Sequence, residues 1–348
     1  MKTFKCGACG STVYFENVQC LRCGHALGFR PDKLEIRTLV PSGDGLYREY
    51  KKGAGVRLRY CANEVHGVCN WMVRADSQSQ FCSACELNRT IPNLADPANV
   101  LAWGVFERAK KRLAYSLLRL GLPLDGAVLG KAPLTFDFLN DALTGHLDGV
   151  ITIAVGEADA VERERQRQAM AEAYRSMLGH LRHESGHYYW MLLIDGTNNI
   201  DRFRALFGDE REDYGAALER HHAQGPPADW SLRHVSAYAS SHPWEDWAET
   251  WAHYLHMIDA LDTAAVHRLE PRLGRFSSGN AWGLRPFDVY RSESFDALIK
   301  RWVPLTLALN DINRSMGHAD FYPFVIPEVA ATKLAFVHRV IREAMPQP

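Results

Sequence analysis

Polar and apolar residues alternate over Leu134–Phe138, the two-residue period of a strand with one covered face. Gly149–Val155 is a β-branched run and reads as a second strand, and Leu34–Val40 is strand-like ahead of a Gly-rich turn. After residue 96 the period becomes helical. Val100, Leu101, Trp103, Phe106, Ala109, Leu113 and Leu117 share one broad face. Asp96 can cap that helix with Pro97 at its first position, and the stop falls near Gly121. Further helices are predicted over about 165–193, where Tyr174, Met177, Leu178, Leu181 and Tyr188 are the apolar positions, and over 245–260, 293–315 (bent at Pro304) and 327–344. Glu162–Gln168 alternates in charge and reads as an exposed helix start, and Lys110–Arg112 as a solvated helix face. Trp244, Trp247 and Trp251 recur at helical spacing and read as core packing.

The break at Asn93–Pro97 divides the chain into a region of residues 1–90 and a larger one of residues 96–348. Strands followed mostly by helices make the class α+β. Composition adds exclusions. Hydrophobic residues at 47% and charged residues at 23% describe a globular protein. Forty basic side chains against 41 acidic ones lack the basic excess of a sequence-independent nucleic-acid binder, so nucleic acid is not the expected partner. No apolar run approaches the roughly 18 residues of a membrane span, and Met1–Gly10 has no signal-peptide core. A cytoplasmic location without membrane contact is the expectation.

All eight cysteines precede residue 86. Cys6-Gly-Ala-Cys9-Gly and Cys20-Leu-Arg-Cys23-Gly are two knuckles whose thiolates can meet on one ion, and the glycine after each suits a turn with positive φ. Cys61, Cys69, Cys82 and Cys85 make a second quartet with one true knuckle; His66 is a substitute, but four cysteines keep the count even. Two structural zinc ions in tandem ribbons are therefore expected, where about 90 polar residues need folding energy beyond a core. Disulfides would require an oxidising compartment.

His183-Glu184-Ser185-Gly186-His187 is an HExxH motif inside a predicted helix. Its histidines, one turn apart, can ligate one ion, and Glu184 sits where it can take a proton from water activated there and pass it to a leaving amine. A catalytic zinc needs a third ligand and an open position. In Tyr238–His253, Pro243 opens a helix on which Glu245 and Glu249 stand one turn apart. One carboxylate can bind the ion while the other accepts a histidine ring N–H. Asp195, His253 and His256 are further candidates, the two histidines reading better as partly exposed helix residues; His242 precedes a proline beside the site.

HExxH followed by ExxxE resembles the gluzincin metallopeptidases, and Glu245-Asp-Trp-Ala-Glu-Thr-Trp251 is similar to the corresponding helix of anthrax-lethal-factor-like peptidases, which also place a tyrosine seven residues earlier, as Tyr238 is here. Leu178–Trp190 and Ser236–Glu249 further resemble a bacterial family of zinc-binding metallopeptidases with an N-terminal zinc ribbon, over nearly the full length. The resemblance implies a mainly helical zincin-like domain with a small β-sheet. It implies that His183, His187 and Glu245 bind a catalytic zinc, that Glu184 is general base and acid, that Tyr238 stabilises the oxyanion, and that Glu249 supports a ligating histidine. It also implies a peptide or protein substrate. In similar peptidases an edge strand before the active helix pairs with substrate, a reading open to Gly149–Val155 beside that of a core strand. The alternative function is a zinc-ribbon module that binds a protein or nucleic acid, with an inactive peptidase-like scaffold. A protein partner at the ribbons is compatible with either.

Overall fold

The computed structural model describes residues 3–51, 55–140, 142–169, 176–269, 271, 288–292 and 294–344. The chain forms two compact units: residues 1–119, 123–125 and 132–162, and residues 120–122, 126–131 and 163–348.

The first unit holds β1 (Phe4–Lys5), β2 (Thr12–Val13), β3 (Ala26–Arg30), β4 (Glu35–Pro41), β5 (Tyr47–Glu49), β6 (Leu58–Tyr60), β7 (Met72–Arg74), β8 (Asn88–Thr90), α1 (Pro97–Arg119), β9 (Thr135–Leu139), β10 (Gly145–Leu147) and β11 (Val150–Ala154). β3 to β7 form an antiparallel sheet in chain order, and β1 pairs with β2. A mixed sheet runs β10-β11-β9-β8. β8 precedes the break at Asn93–Pro97 and its parallel partner β9 follows it, so this unit continues across that linker. Phe15 is the hub of the aromatic core, edge-on to Phe29, Trp71 and Tyr115 at centroid distances of 4.9, 6.2 and 5.4 Å. Asp96 caps α1 as expected, accepting from Ala98 N at 2.9 Å.

One open alternative is decided here and one expectation changes. β11 lies inside its sheet between β10 and β9, so Gly149–Val155 contains the core strand and not a free edge. Lys110 and Lys111 are buried, because Lys110 Nζ meets Glu107 Oε1 at 2.6 Å and Lys111 donates to the Val68 carbonyl.

The second unit contains α2 (Ala160–Ala169, in its greater part), α3 (Met177–Leu193), α4 (Ile200–Phe207), α5 (Tyr214–Gln224), α6 (Pro243–His267), α7 (Phe295–Ser315) and α8 (Glu328–Ala344). α3 starts at Met177 and not near 165, because Ser176 caps it, accepting from Gly179 N at 3.1 Å. Tyr174 lies outside the described residues. α3, α4, α7 and α8 all pack on α6. Among the described residues no helix is long and apolar enough to cross a membrane. The architecture is α+β: tandem cysteine clusters with small sheets, then a mainly helical part.

Candidate active site

The two cysteine quartets come together as the spacing implies. Gly10 and Gly24 both take a φ of 72°, which turns each knuckle. Cys6 and Cys23 bring their sulfurs to 3.6 Å, Cys9 and Cys20 to 3.6 Å, and Cys69 and Cys82 to 3.8 Å. A disulfide would need about 2.0 Å. Tetrahedral zinc with bonds of about 2.3 Å separates its sulfurs by about 3.8 Å. The thiols are free and fit that ion. The second quartet is completed by Cys61 and Cys85, while His66 is exposed, its ring tilted against that of Trp103 at 5.7 Å. Its four cysteines are all buried, whereas Cys9 and Cys23 of the first are partly open.

Two tryptophans draw α3 and α6 together. Trp247 Nε1 donates to the Gly186 carbonyl at 2.8 Å and Trp251 Nε1 to Ser185 Oγ at 3.1 Å, so both act as the core residues their spacing implied. Gly186 makes the approach possible: a Cβ there would stand 2.9 Å from Ala248 Cα. His242 caps α6 by accepting from Trp244 N at 3.1 Å, and its Nε2 lies 3.2 Å from the Glu212 carbonyl. That histidine shapes the helix start. Pro243 opens the helix, which puts Glu245 in its first turn, where the helix dipole favours a carboxylate.

His183, His187 and Glu245 then converge. The two Nε2 atoms are 3.2 Å apart, Glu245 Oε2 is 3.0 Å from His183 Nε2, and Glu245 Oε1 is 3.4 Å from His187 Nε2. A tetrahedral zinc with bonds of about 2.0–2.1 Å spaces its ligands by about 3.3–3.4 Å. Glu245 is 1% exposed, and its Oε2 has no hydrogen-bond partner. One proton could serve a single pair of these atoms; a cation at their centre serves all three, so the donor set fits a metal ion. Burial pushes the Glu245 carboxyl up, but His187 and His183 outweigh it and bring its pKa down to about 2.

Around these three stand the other expected residues. His183 Nδ1 lies 2.6 Å from Glu249 Oε1, and Ser236 Oγ donates to Glu249 Oε2 at 2.6 Å. With its Nδ1 proton held there, His183 turns the Nε2 lone pair to the centre. Tyr238 sits in a short turn with its ring 6.0 Å from that of His183. Burial, then Glu245, raises its phenol well above the ordinary range, so it stays an O–H donor. Glu184 is buried on the same turn of α3, 3.7 Å from His180 Nε2, and its charge also raises the Tyr238 phenol.

The other candidates lie elsewhere. Asp195 is exposed and accepts from Lys131 Nζ at 2.9 Å. His253 is buried rather than partly exposed, and its Nε2 meets the Tyr322 hydroxyl. His256 stacks edge-on with Trp302 and Tyr322 at 5.9 and 6.0 Å. The spacing of motifs missed two contributors. Ser236 anchors Glu249, and Tyr214 OH donates to Glu245 Oε1 at 2.8 Å. Tyr214 lies in the stretch between motif and third ligand, where no periodicity singles it out.

Comparison with known proteins places the chain in a family. Uncharacterized proteins from Mycobacterium bovis and from two strains of Mycobacterium tuberculosis are 41% identical over 354 residues, covering 99% of this chain and 97% of theirs. No solved structure matches the chain significantly. Residues 3–96 match a zinc-ribbon domain. Residues 99–340 match the family described as "Putative zinc-binding metallo-peptidase", and the chain belongs to that family.

Proposed function

We propose that the protein is a zinc-dependent peptidase of gluzincin type, with His183, His187 and Glu245 holding the catalytic ion. The observation that carries the reading is the convergence of two imidazole Nε2 atoms and the buried Glu245 carboxylate beside the buried Glu184. Zinc held there supplies Lewis acidity, which brings the pKa of water towards about 7 and polarises a carbonyl. Glu184 takes the proton of the attacking water and returns it to the leaving amine. The Tyr238 O–H donates to the peptide oxygen as it gains negative charge, a task suited to a phenol that does not ionise at working pH. Glu249, anchored by Ser236, keeps His183 in the tautomer that offers Nε2.

Glu184→Gln tests the assignment. The variant should bind the same amount of metal and unfold at the same temperature as the parent. Its turnover of quenched-fluorescence peptide mixtures should fall by about 100-fold or more, the scale of a lost general base. A variant that keeps both its metal and its turnover would remove Glu184 from the role.

A further inference from the structure

The site contains a second phenol, and it touches the proposed ligand Glu245 directly. Tyr214 is the first residue of α5, held there by Asp213, whose carboxylate accepts from Ala216 N at 2.9 Å. Its ring meets the start of α6 edge-on, 5.2 Å from the ring of His242 and 5.6 Å from that of Trp244. Its hydroxyl donates to Glu245 Oε1 at 2.8 Å.

The two oxygens of Glu245 are thereby made unequal. Oε1 is engaged by Tyr214, while Oε2 is buried without a hydrogen-bond partner and lies 3.0 Å from His183 Nε2. A carboxylate free to use both oxygens can occupy two coordination positions. A hydrolytic zinc with three protein ligands needs the remaining position for water. Oε1 has the reach to interfere, being 3.4 Å from His187 Nε2.

We infer that Tyr214 is a positioning residue that ties up a lone pair of Glu245 Oε1 and weakens it as a second donor, so that Glu245 ligates chiefly through Oε2 and one coordination position stays open. The inference rests on the proposed metal site but asks nothing of the substrate. It assigns the two phenols different tasks: Tyr214 acts through a ligand, and Tyr238 faces the reacting carbonyl. It also gives the region between HExxH and Glu245 a role in the site, since α5 carries the group that sets the coordination of the third ligand.

Tyr214→Phe is the test, because it deletes the hydroxyl and keeps the ring against His242 and Trp244. The full chain is prepared with zinc left in the cysteine quartets and cobalt(II) supplied to the histidine site. The parent should show the intense visible bands of a four-coordinate ion. Tyr214→Phe should show the weaker bands of a five-coordinate ion, with metal affinity lowered by about 10–100-fold. Tyr238→Phe, which removes a phenol neighbouring Tyr214 but keeps the Tyr214 hydroxyl, should keep the parental spectrum. A Tyr214→Phe protein with parental bands and affinity overturns the inference, even where its turnover falls. Failure of the parent to take up cobalt would instead overturn the reading of the site itself.

Discussion

Between the two histidines of the motif stands a residue that a helix interior disfavours: glycine there costs about 1 kcal/mol relative to alanine. The facing helix explains it. An added methyl at Gly186 would lie 2.9 Å from Ala248 Cα and 3.2 Å from Trp251 Cβ, with a backbone atom as the nearest neighbour. Gly186→Ala therefore gains helix propensity and loses the close approach, and we expect net destabilisation of about 1–3 kcal/mol, the usual cost of overpacking. Because the same approach sets the distance from His183 and His187 to Glu245, zinc affinity at that site should fall with stability. Thermal unfolding with metal present, paired with a zinc competition titration, checks both. A variant as stable as the parent and with parental zinc affinity would mean that α3 and α6 have room to spare.

At the scale of elements, α6 shows why some positions mislead. It presents Glu245 at its start, and its middle is covered by α3, α7 and α8. His253 therefore has no water to face. Burial lowers its pKa to about 4, and burial with the Arg182 charge lowers that of His256 to about 3. A histidine whose folded pKa is depressed adds no pH dependence above its ordinary value of about 6.5. As the pH falls from there towards about 4, the unfolded chain binds a proton that the folded chain refuses, and stability drops by up to about 1.4 kcal/mol per pH unit for each such group. Urea unfolding at about pH 7 and about pH 5 should accordingly show a steeper acid loss for the parent than for His253→Gln, which cannot take up that proton. Equal losses would contradict the assignment. The same limit hid Lys110 and Lys111, whose charge suggests solvent while Glu107 and the Val68 carbonyl take them inside. It also hid the place of β11, because its edge neighbour β10 is a strand of three residues with no readable alternation. Cysteine knuckles, HExxH, caps and long helices were legible because each needs only neighbours in sequence. Glu245 and Glu249 were legible as a pair one helical turn apart, while resemblance to known peptidases chose Glu245 as the ligand and gave Tyr238 its role. Tyr214 was reached by neither route, since only folding brings α5 to the start of α6.

At the scale of the molecule, the three candidate metal sites among the described residues differ in how they are closed. The candidate site of His183, His187 and Glu245 offers three protein donors and no thiolate. The quartet of Cys6, Cys9, Cys20 and Cys23 has four thiolates, two of them partly open. The quartet of Cys61, Cys69, Cys82 and Cys85 is buried throughout, beneath Glu107, whose Oε2 is 3.7 Å from Cys85 Sγ and whose Oε1 is paired with the buried Lys110. Thiolate ligands hold zinc tightly, and binding in a structural site contributes directly to folding, on the order of 10–16 kcal/mol. A chelator should therefore strip the sites in that order. The first ion should leave with all hydrolytic activity and little change in far-ultraviolet circular dichroism. The second should follow as the chelator reaches Cys9 and Cys23, and the third only when the first unit opens, with loss of its sheet signal. A colorimetric zinc-release trace should resolve three steps of one equivalent each, activity ending with the first. Release of fewer than three equivalents, or of all in a single step, would show that the sites are not three separate sites of graded protection.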